Sequence, residues 1–525
     1  MPRNIASHLD LELAFSRVLH DLSSGQSFFR HPHESDLINQ DKAAWLSALN
    51  AELPTYVPGD LYLCNAPKGR GAVRPGAILS FRDQTIYAAL VGALSEQIRL
   101  ALDWQGEYVD FSYPISTDPN DPKWFQNYFP VWRRFAEQSI SRINNSASHV
   151  VLADITAYYE TIDIGLLLSD LRAIGAAPAV LELLSKCLNK WSLATVPARS
   201  LPQGFSASNI LARFYLNQLD RALRERGVHH LRYVDDIRLF CRSEAEAKRH
   251  FVELILLLRK RGLAVQSAKS EIVSAHEATQ RIEGLLPALR SILQDFVNSV
   301  EELFDIAEPY FTLSDAEQLL NSNAENAPIG LIREAYRKFF MADVSRGFNK
   351  TLFHFLIRRL AHASDDFAFN HALTLLENQP QETKEVLKYI ARLHQAGRSD
   401  ESILDYLASG NAVYPYQHYL LVAWRMDQTP NPPERFVSYV RELLFGHNCS
   451  PYLRAACREF LARFGSSGDL ERMQESLQIT SEDFERAELL CCLRRLEVSR
   501  RNSLLARYSG AGPYTDRAIA LVRNG

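Results

Sequence analysis

The ten residues 231–240 constrain the fold of this chain more than any other segment. They read LRYVDDIRLF, so two short apolar runs lie on either side of the acidic pair Asp235-Asp236. Apolar runs that flank a polar pair predict a β-hairpin with its carboxylates at the turn. Adjacent aspartates repel each other, which favours a cation beside them. Taken alone, the same pattern is equally typical of a solvated Asp-Asp turn.

A second apolar run ends in a single carboxylate about eighty residues upstream. Residues 150–154 read VVLAD and predict a β-strand that ends at Asp154. A helix is predicted from Ile164 to Ile174, and Asp163 directly precedes it. Asp163 is therefore the better candidate for the helix N-cap. Asp154 has no evident structural duty and becomes a candidate for chemistry.

A third segment lies between these two and opens a helix. Residues 201–209 read LPQGFSASN, and apolar residues at helical spacing follow them. Gly204 has no side chain, so the backbone of the Pro-Gln-Gly turn allows a ligand to approach closely. By itself the segment would be an ordinary entry from a loop into a helix.

The order and content of the three segments resemble the reverse transcriptases. Asp154 with Tyr159 is similar to the first palm motif of that family, residues 202–204 to the second, and residues 233–236 to the third. All of them lie within 83 residues, from 154 to 236 inclusive. Three motifs in the right order are far more specific than any one of them.

Two weaker similarities frame the palm motifs. Residues 66–75, followed by Arg82-Asp83, are similar to the fingers segment of reverse transcriptases. Residues 262–270 are similar to a palm motif that ends in a lysine, here Lys269. The resemblance covers residues 60–275. It implies an α+β fold of fingers and palm.

The resemblance also implies nucleotidyl transfer with two Mg²⁺ ions, for which Mn²⁺ is an alternative. Magnesium prefers carboxylates and substrate oxygens to a full protein cage. We therefore expect Asp154 and Asp235 to be metal ligands, with Asp236 as the third acid and the carbonyl of Ile155 as a helper. Lys269 is expected to hydrogen-bond or protonate the leaving pyrophosphate.

The substrate that the resemblance implies is a deoxynucleoside triphosphate. Lys68 and Arg74 would neutralise its phosphates, although both are also typical of solvated loop charges. Tyr159 would fill the space that a 2′-hydroxyl needs, and Tyr158 is the neighbouring alternative, which would point to the opposite side if the backbone is extended. The residues expected to contact the nucleotide are Lys68, Arg74, Tyr159, Gln203 and Gly204.

The chain changes character near residue 275. From there onward nearly every segment reads as an amphipathic helix, which predicts domains at residues 1–275 and 276–525. In residues 452–464, for example, one buried stripe is predicted from Leu453, Ala456, Phe460 and Phe464. Stacked HEAT-like repeats or an irregular helical bundle would both give this pattern.

Composition adds few constraints on partners. The formal net charge is -4, which argues weakly against a nucleic-acid enzyme, although one basic surface would be enough. The seven cysteines form no CxxC pair and no Cys/His set at zinc spacing, so a zinc site is not expected. No apolar N-terminal run and no uncharged stretch of about 18 residues is visible. We expect a soluble cytoplasmic protein without a membrane partner.

A palm followed by a long helical half resembles the bacterial abortive-infection and defence-associated reverse transcriptases. That resemblance implies phage defence, a homo-oligomer, and template-independent, protein-primed synthesis of single-stranded DNA that becomes attached to a tyrosine. One alternative is a retron-like enzyme with an RNA template or a non-coding RNA partner. A viral-type RNA polymerase is less favoured, because a Gly-Asp-Asp turn is usual there. The remaining alternative is a catalytically idle nucleic-acid-binding scaffold.

Overall fold

The structure is a computed structural model. It describes residues 5–102, 108–125, 128–192, 198–283, 329–342, 348–446 and 449–524. The chain divides into two compact units. One contains residues 1–30, 41–64 and 75–283, and the other contains residues 31–40, 65–74 and 284–525. The domain boundary expected at residue 275 stays a prediction.

Up to residue 283 the chain mixes helices and strands, as the predicted α+β class requires. The α-helices described there are α1 (Leu11–Ser24), α2 (Glu34–Asn39), α3 (Lys42–Glu52), α4 (Phe81–Ala101), α5 (Tyr128–Ser146), α6 (Tyr158–Thr161), α7 (Ile164–Ala173), α8 (Pro178–Trp191), α9 (Ser206–Tyr215), α10 (Asn217–Glu225), α11 (Glu244–Lys260) and α12 (Ala275–Glu283). The strands are β1 (Tyr62–Pro67), β2 (Val73–Ile78), β3 (His149–Ala153), β4 (His230–Tyr233), β5 (Asp236–Cys241) and β6 (Glu271–Ser274).

Four of these strands form one antiparallel sheet in the order β4-β5-β3-β6. Strands β4 and β5 are joined by a two-residue turn, since Tyr233 pairs with Asp236. Ala153 at the end of β3 pairs with Ile237 of β5. The end of β3 and the β4–β5 turn therefore lie at the same edge of the sheet.

Successive side chains of each strand point to opposite faces of the sheet, and both faces are buried. One face packs under α5 and α12 through a cluster of apolar residues. That cluster contains Phe111, Val131, Phe135, Ile143, Val150, Leu231, Tyr233, Phe240, Val273 and Ala278. Val151 and Leu239 point to the opposite face and are fully buried. Burial on both faces explains why the strands read as nearly continuous apolar runs.

The helix that follows the first palm motif begins as the sequence predicts. The side chain of Asp163 accepts a hydrogen bond from the backbone N–H of Leu166 at 2.9 Å and caps α7. Asp154 takes no part in this cap. The prediction that Asp163 is the N-cap of the helix is confirmed.

From residue 329 onward the described chain is largely helical, as predicted. Its α-helices are α13 (Ile329–Tyr336), α14 (Lys350–His362), α15 (Phe369–Asn378), α16 (Thr383–Arg392), α17 (Ala396–Ala408), α18 (Pro415–Met426), α19 (Glu434–Phe445), α20 (Pro451–Phe464), α21 (Ser467–Ile479), α22 (Asp483–Cys492), α23 (Val498–Arg507) and α24 (Pro513–Asn524). Whether they form HEAT-like repeats or an irregular bundle stays a prediction. Among the described residues, no helix combines the length and apolarity needed to cross a lipid bilayer.

Helix α20 differs from its predicted single stripe. Ten of its residues are buried, including Arg458 and Glu459, whereas Phe464 is only partly buried. The reason is that α20 packs against α18, α19, α21 and α22. Arg458 and Glu459 can be buried because ion pairs with neighbouring helices satisfy them.

Candidate active site

The carboxylates predicted to be catalytic come from two neighbouring strands. Asp154 follows β3, while Asp235 lies in the β4–β5 turn and Asp236 opens β5. Because Ala153 pairs with Ile237, the next step of the same antiparallel register sets Asp154 opposite Asp236. The fold therefore brings together three acids that are 82 or fewer positions apart in sequence.

Lys269 lies beside the first of these acids. Leu152 of β3 pairs with Glu271 of β6, so the chain just before β6 runs alongside Asp154. The Lys269 Nζ atom is 2.6 Å from Asp154 Oδ2, and the side chains are 54% and 25% exposed. The backbone N–H of Asp154 donates to Ser270 Oγ at 3.1 Å, and its carbonyl accepts from the N–H of Gln266 at 2.7 Å.

The electrostatics of this edge favour a cation. Burial raises the pKa of Asp235, and the negative charges of Asp154 and Asp236 raise it further. Burial likewise raises the pKa of Asp236, although the nearby Arg238 guanidinium opposes that shift. A divalent ion stabilises the ionised form of carboxylates that lie close together. Mg²⁺ prefers oxygen ligands, which carboxylates supply. The donor set therefore fits a magnesium site.

Ile155, whose carbonyl is the expected helper, lies in a fixed stretch of backbone. It forms an isolated antiparallel bridge with Val265 and is buried. The next N–H, that of Thr156, donates to the carbonyl of Ala264 at 2.8 Å. The segment after Asp154 is thus held against residues 264–266, and the metal contact of Ile155 stays a prediction.

The two tyrosines after Asp154 occupy different environments. Tyr158 is buried and its hydroxyl donates to the carbonyl of Ala212. Tyr159 is only partly buried, and its hydroxyl donates to Asn209 Oδ1 at 2.8 Å. Burial raises the pKa of Tyr159 well above its usual value, so this hydroxyl is a neutral donor. Tyr159 therefore remains the candidate for the nucleotide contact.

The backbone at these tyrosines is helical rather than extended, so strand alternation does not place the two side chains on opposite sides. Ala157 adopts a φ of +45°, and the short helix α6 follows it. A left-handed residue turns the chain from β3 into this helix. The two rings then lie 5.6 Å apart between centroids and meet edge to face.

The Pro-Gln-Gly turn is attached to strand β2. The carbonyl of Gln203 accepts a hydrogen bond from the N–H of Ala77 at 2.9 Å. Gly204 has a φ of +106°, and a Cβ atom there would lie 2.6 Å from the ring of Phe28. Only glycine fits this position. The group that approaches the glycine closely in this structure is that phenylalanine ring, and the contacts of Gln203 and Gly204 with a nucleotide stay predictions.

Helix α9 receives its N-terminal partner from far away in sequence. Asp21 of α1 accepts hydrogen bonds from the N–H of Ser206 at 3.0 Å and from its hydroxyl at 2.7 Å. Sequence reasoning missed both Asp21 and Phe28. No local pattern marks them, because their partners lie about 180 residues further along the chain.

Lys68 and Arg74 are exposed and lie on the β1–β2 hairpin. The N–H of Lys68 donates to the carbonyl of Ala72 at 2.7 Å, which closes the hairpin loop. Both cations belong to the second compact unit, in its segment 65–74. Their contact with the triphosphate stays a prediction.

Arg238 is a further residue of the site that sequence reasoning missed. It is buried, and its Nη2 atom lies 3.3 Å from Asp236 Oδ2. Its Nη1 donates to Ser139 Oγ at 2.9 Å, and its Cζ lies 4.0 Å from the centre of the Phe135 ring. A cation inside an apolar strand is the sequence signal that could have identified it.

A second cluster of potential metal ligands lies in the other unit. His33, Glu459 and Cys492 are buried, with ligand atoms within 4.8 Å of one another. Both oxygens of Glu459 already accept hydrogen bonds from Arg494, and one also accepts from Arg463. Two guanidinium groups on one carboxylate disfavour an additional cation. The cluster is therefore interpreted as a buried ion-pair network.

Comparison with known proteins finds a family match for the segment that carries the carboxylates. Residues 66–283 match the family model of the reverse transcriptases (RNA-dependent DNA polymerases). No curated protein sequence matches the chain.

Two solved telomerase structures are similar to this chain at low identity. Apo telomerase from Candida tropicalis, truncated from its C-terminal domain, has 14% identity and a TM-score of 0.31, covering 42% of this chain and 50% of that one. Telomerase from Candida albicans with a TWJ fragment of telomeric RNA has 12% identity and a TM-score of 0.31, covering 70% and 69%. The chain spans half the length of the first of these. Similarity at this level supports no functional conclusion, so the assignment depends on the family match. Residues 66–283 therefore form a reverse transcriptase domain by their family match.

Proposed function

We propose that this chain is a DNA polymerase of the reverse-transcriptase type that adds deoxynucleotides to a hydroxyl group. The observation that carries the proposal is the group of three carboxylates at one sheet edge, with the Lys269 ammonium 2.6 Å from Asp154. Like charges concentrated in this way are costly unless a cation compensates them. Nucleotidyl transfer is a reaction that uses such a cation site.

The acids have separate duties in this proposal. Asp154 and Asp235 hold two Mg²⁺ ions, assisted by the carbonyl of Ile155. When bound, the ions would activate the attacking hydroxyl and stabilise the negative charge on the triphosphate. Asp236 supports this arrangement, and its ion pair with Arg238 keeps its carboxylate oriented.

Lys269 acts on the leaving group. Its ammonium neutralises Asp154 until metal binds, and the exposed side chain then turns to the phosphates. There it donates a hydrogen bond or a proton to the departing pyrophosphate, which is a general-acid role. Lys68 and Arg74 are the other cations proposed to contact the triphosphate.

Tyr159 selects the sugar. Its ring fills the volume that a 2′-hydroxyl would need, and the bond to Asn209 Oδ1 restricts ring movement. Because the hydroxyl hydrogen is donated to Asn209, the ring keeps one orientation. Gln203 and Gly204 contact the nucleotide from the adjacent turn. This arrangement favours deoxynucleotides over ribonucleotides.

The helical second half supports the finer assignment to phage defence. In the bacterial defence-associated reverse transcriptases that the sequence resembles, a palm precedes a long helical region, and the helices from residue 329 onward agree with that organisation. We therefore propose a homo-oligomer that makes single-stranded DNA without a template, attached to a tyrosine. An RNA-templated enzyme with a non-coding RNA partner is the other candidate, because residues 66–283 match RNA-dependent DNA polymerases.

Incorporation of labelled deoxynucleotides tests the polymerase activity directly. Purified protein receives Mg²⁺ and each deoxynucleotide, with and without an RNA template and primer. Asp235→Asn removes one metal ligand while keeping the side-chain shape. Asp405→Asn is the matched control, because that aspartate is exposed in α17 and pairs only with Arg435 among the ion pairs described. We expect incorporation by the wild type and the control, and a loss on the order of 100-fold or more in Asp235→Asn.

The products then decide the finer assignment. DNA that forms without a primer and changes mobility after protease treatment supports protein priming. Extension that requires template and primer favours the RNA-templated enzyme. Equal incorporation by the wild type and Asp235→Asn would refute the metal-ligand assignment. No incorporation under any condition would favour the idle scaffold. For defence, wild-type cells should reduce phage plating efficiency and cells with Asp235→Asn should not.

A further inference from the structure

Val234, which lies between Tyr233 and Asp235 in the β4–β5 turn, has an unfavourable backbone conformation. Val234 has a φ of +55° and precedes Asp235 directly. A β-branched residue at positive φ is a genuine outlier, because its Cβ crowds the backbone. Such a conformation persists only where the surroundings determine it. The position of Asp235 therefore depends on whatever holds Val234.

Ser112 holds the N–H of this residue. Its Oγ accepts a hydrogen bond from the Val234 N–H at 2.6 Å, and the serine is 1% exposed. The hydroxyl hydrogen is donated to Asp110 Oδ1 at 2.5 Å, and the same oxygen accepts from the Ser112 N–H at 2.8 Å. Because that hydrogen is engaged, Ser112 Oγ can only accept from the turn. Its orientation is therefore fixed.

Arg232 holds the carbonyl of the same residue. Its Nη1 donates to the Val234 carbonyl at 3.2 Å and to Ser112 Oγ at 3.4 Å. The guanidinium is fully buried and pairs with Asp220 at 2.6 Å and with Asp110 at 3.1 Å. Burial alone would raise the pKa of Asp220, but the charge of Arg232 and the hydrogen bonds of its neighbours lower it overall. The arginine is thus held by two buried carboxylates.

The segment that carries Ser112 is itself fixed to the palm sheet. The N–H of Arg232 donates to the carbonyl of Val109 at 2.7 Å, and the N–H of Phe111 donates to the carbonyl of Arg232 at 2.8 Å. Residues 109–111 therefore run along the outer edge of β4, which is the end strand of the sheet. Phe111 also belongs to the core cluster beneath the sheet. Ser112 is the first residue beyond this added edge.

We propose that Ser112 is a positioning residue for catalysis, which with Arg232 holds the Val234 turn in the conformation that presents Asp235 to metal. Both polar groups of the Val234 backbone are bound by one buried network, and this compensates its unfavourable φ. Ser112 contacts the turn through the Val234 N–H and not through a carboxylate of the candidate metal site. Its effect passes through the backbone of the neighbouring residue. The inference goes further than the proposed function and depends on it for the catalytic part.

Substitution of Ser112 tests the proposal, with metal affinity as a readout independent of catalysis. Ser112→Ala removes the acceptor and leaves a buried N–H unsatisfied. We expect affinity for Mn²⁺, followed by electron paramagnetic resonance, to weaken on the order of 10-fold, and kcat to fall on the order of 10- to 100-fold. Ser399→Ala is the matched control, because that buried hydroxyl donates to the carbonyl of Ala396 in α17 and to no other group in the described part of the chain. The control should change neither quantity.

A second background separates positioning of the turn from a general loss of stability. Val234→Gly relieves the positive φ, since glycine adopts it without strain. With glycine at position 234 the turn has no strained residue for Ser112 to hold. Ser112→Ala should therefore weaken Mn²⁺ binding by less than about 3-fold in that background. Thermal melting gives the folded fraction, to which all values are normalised. An equal loss in both backgrounds, or unchanged Mn²⁺ affinity in folded Ser112→Ala, would overturn the proposal.

The same data distinguish this inference from the proposed function. A wild type that makes no DNA but binds Mn²⁺ in a Ser112-dependent way would refute the polymerase and keep the positioning role. If the wild type makes DNA and Ser112→Ala changes neither Mn²⁺ affinity nor kcat, the polymerase function is kept and the positioning role is refuted. Wild-type protein that does not bind Mn²⁺ would refute both.

Discussion

Replacing Lys269 by methionine should move metal affinity and catalytic rate in opposite directions. The Lys269 ammonium lies 2.6 Å from Asp154 Oδ2, where a metal ion would have to displace it. With side chains 54% and 25% exposed, water screens the pair. An ion pair of this kind contributes about 0.2–1 kcal/mol. Its removal should therefore tighten Mn²⁺ binding by roughly 1.4- to 5-fold.

The catalytic rate of Lys269→Met should fall, although its metal binding tightens. If Lys269 protonates or hydrogen-bonds the leaving pyrophosphate, loss of that group lowers kcat by about 10²- to 10⁴-fold. If Lys269 only neutralised Asp154, its replacement would give tighter metal binding without this loss of rate. A residue that only contacted phosphate would give the loss without tighter binding. The two readouts together therefore separate the two duties.

The assay combines Mn²⁺ titration by electron paramagnetic resonance with single-turnover incorporation of one deoxynucleotide. Lys248→Met is the matched control, because Lys248 of α11 is 65% exposed and forms a similar ion pair with Glu244. The control should leave both readouts within 2-fold, as expected for a surface pair. Weaker Mn²⁺ binding in Lys269→Met would refute the competition that the 2.6 Å contact implies.

Three further predictions follow from single contacts. Gly204→Ala should lower incorporation at least about 10-fold, because the new Cβ would meet the neighbouring phenylalanine ring at 2.6 Å. Gly175→Ala is the control and should change incorporation little, because Gly175 is also at positive φ but has open space around it. Tyr159→Ala should raise ribonucleotide incorporation relative to deoxynucleotide incorporation by about 10- to 100-fold, measured in competition; an unchanged ratio would contradict the sugar-selection role. Arg425→Met leaves the buried Asp400 carboxylate unpaired at a cost of about 3–5 kcal/mol, so the melting temperature should fall by roughly 6–20 °C, and Arg425→Met with Asp400→Leu should recover most of it.

The acidic part of the site was predictable because it depends on local pattern. Each carboxylate ends or begins an apolar run, and a strand end is a position that the alternation of residues defines. The two-residue turn at Val234-Asp235 follows from the length of the interruption between runs. Asp163 was separable from Asp154 because a helix cap has its own local signature.

The support around the acids was not predictable in the same way. Ser112 lies 122 positions from the N–H that it binds, and Phe28 lies 176 positions from Gly204. Contacts of this kind depend on how elements pack, and no periodicity in one segment encodes a partner in another. The one usable signal was a cation inside each apolar strand, at Arg232 and Arg238. A buried arginine needs a carboxylate, so each pointed to an unseen partner.

The cations near the acidic edge differ in a way that bears on metal binding. Arg232 and Arg238 are buried. Arg232 donates to Asp220 and to the Val234 carbonyl, and Arg238 donates to Ser139 Oγ and to Asp236, so moving either would leave a carboxylate without its guanidinium partner. Lys269 is half exposed and hydrogen-bonds to a single carboxylate oxygen of Asp154 among the side-chain contacts described. An incoming divalent ion can therefore displace Lys269 at little cost, whereas the arginines stay in place. Two buried guanidinium groups therefore hold the β4–β5 turn and Asp236 in place, whereas the ammonium beside Asp154 is free to exchange with a metal ion.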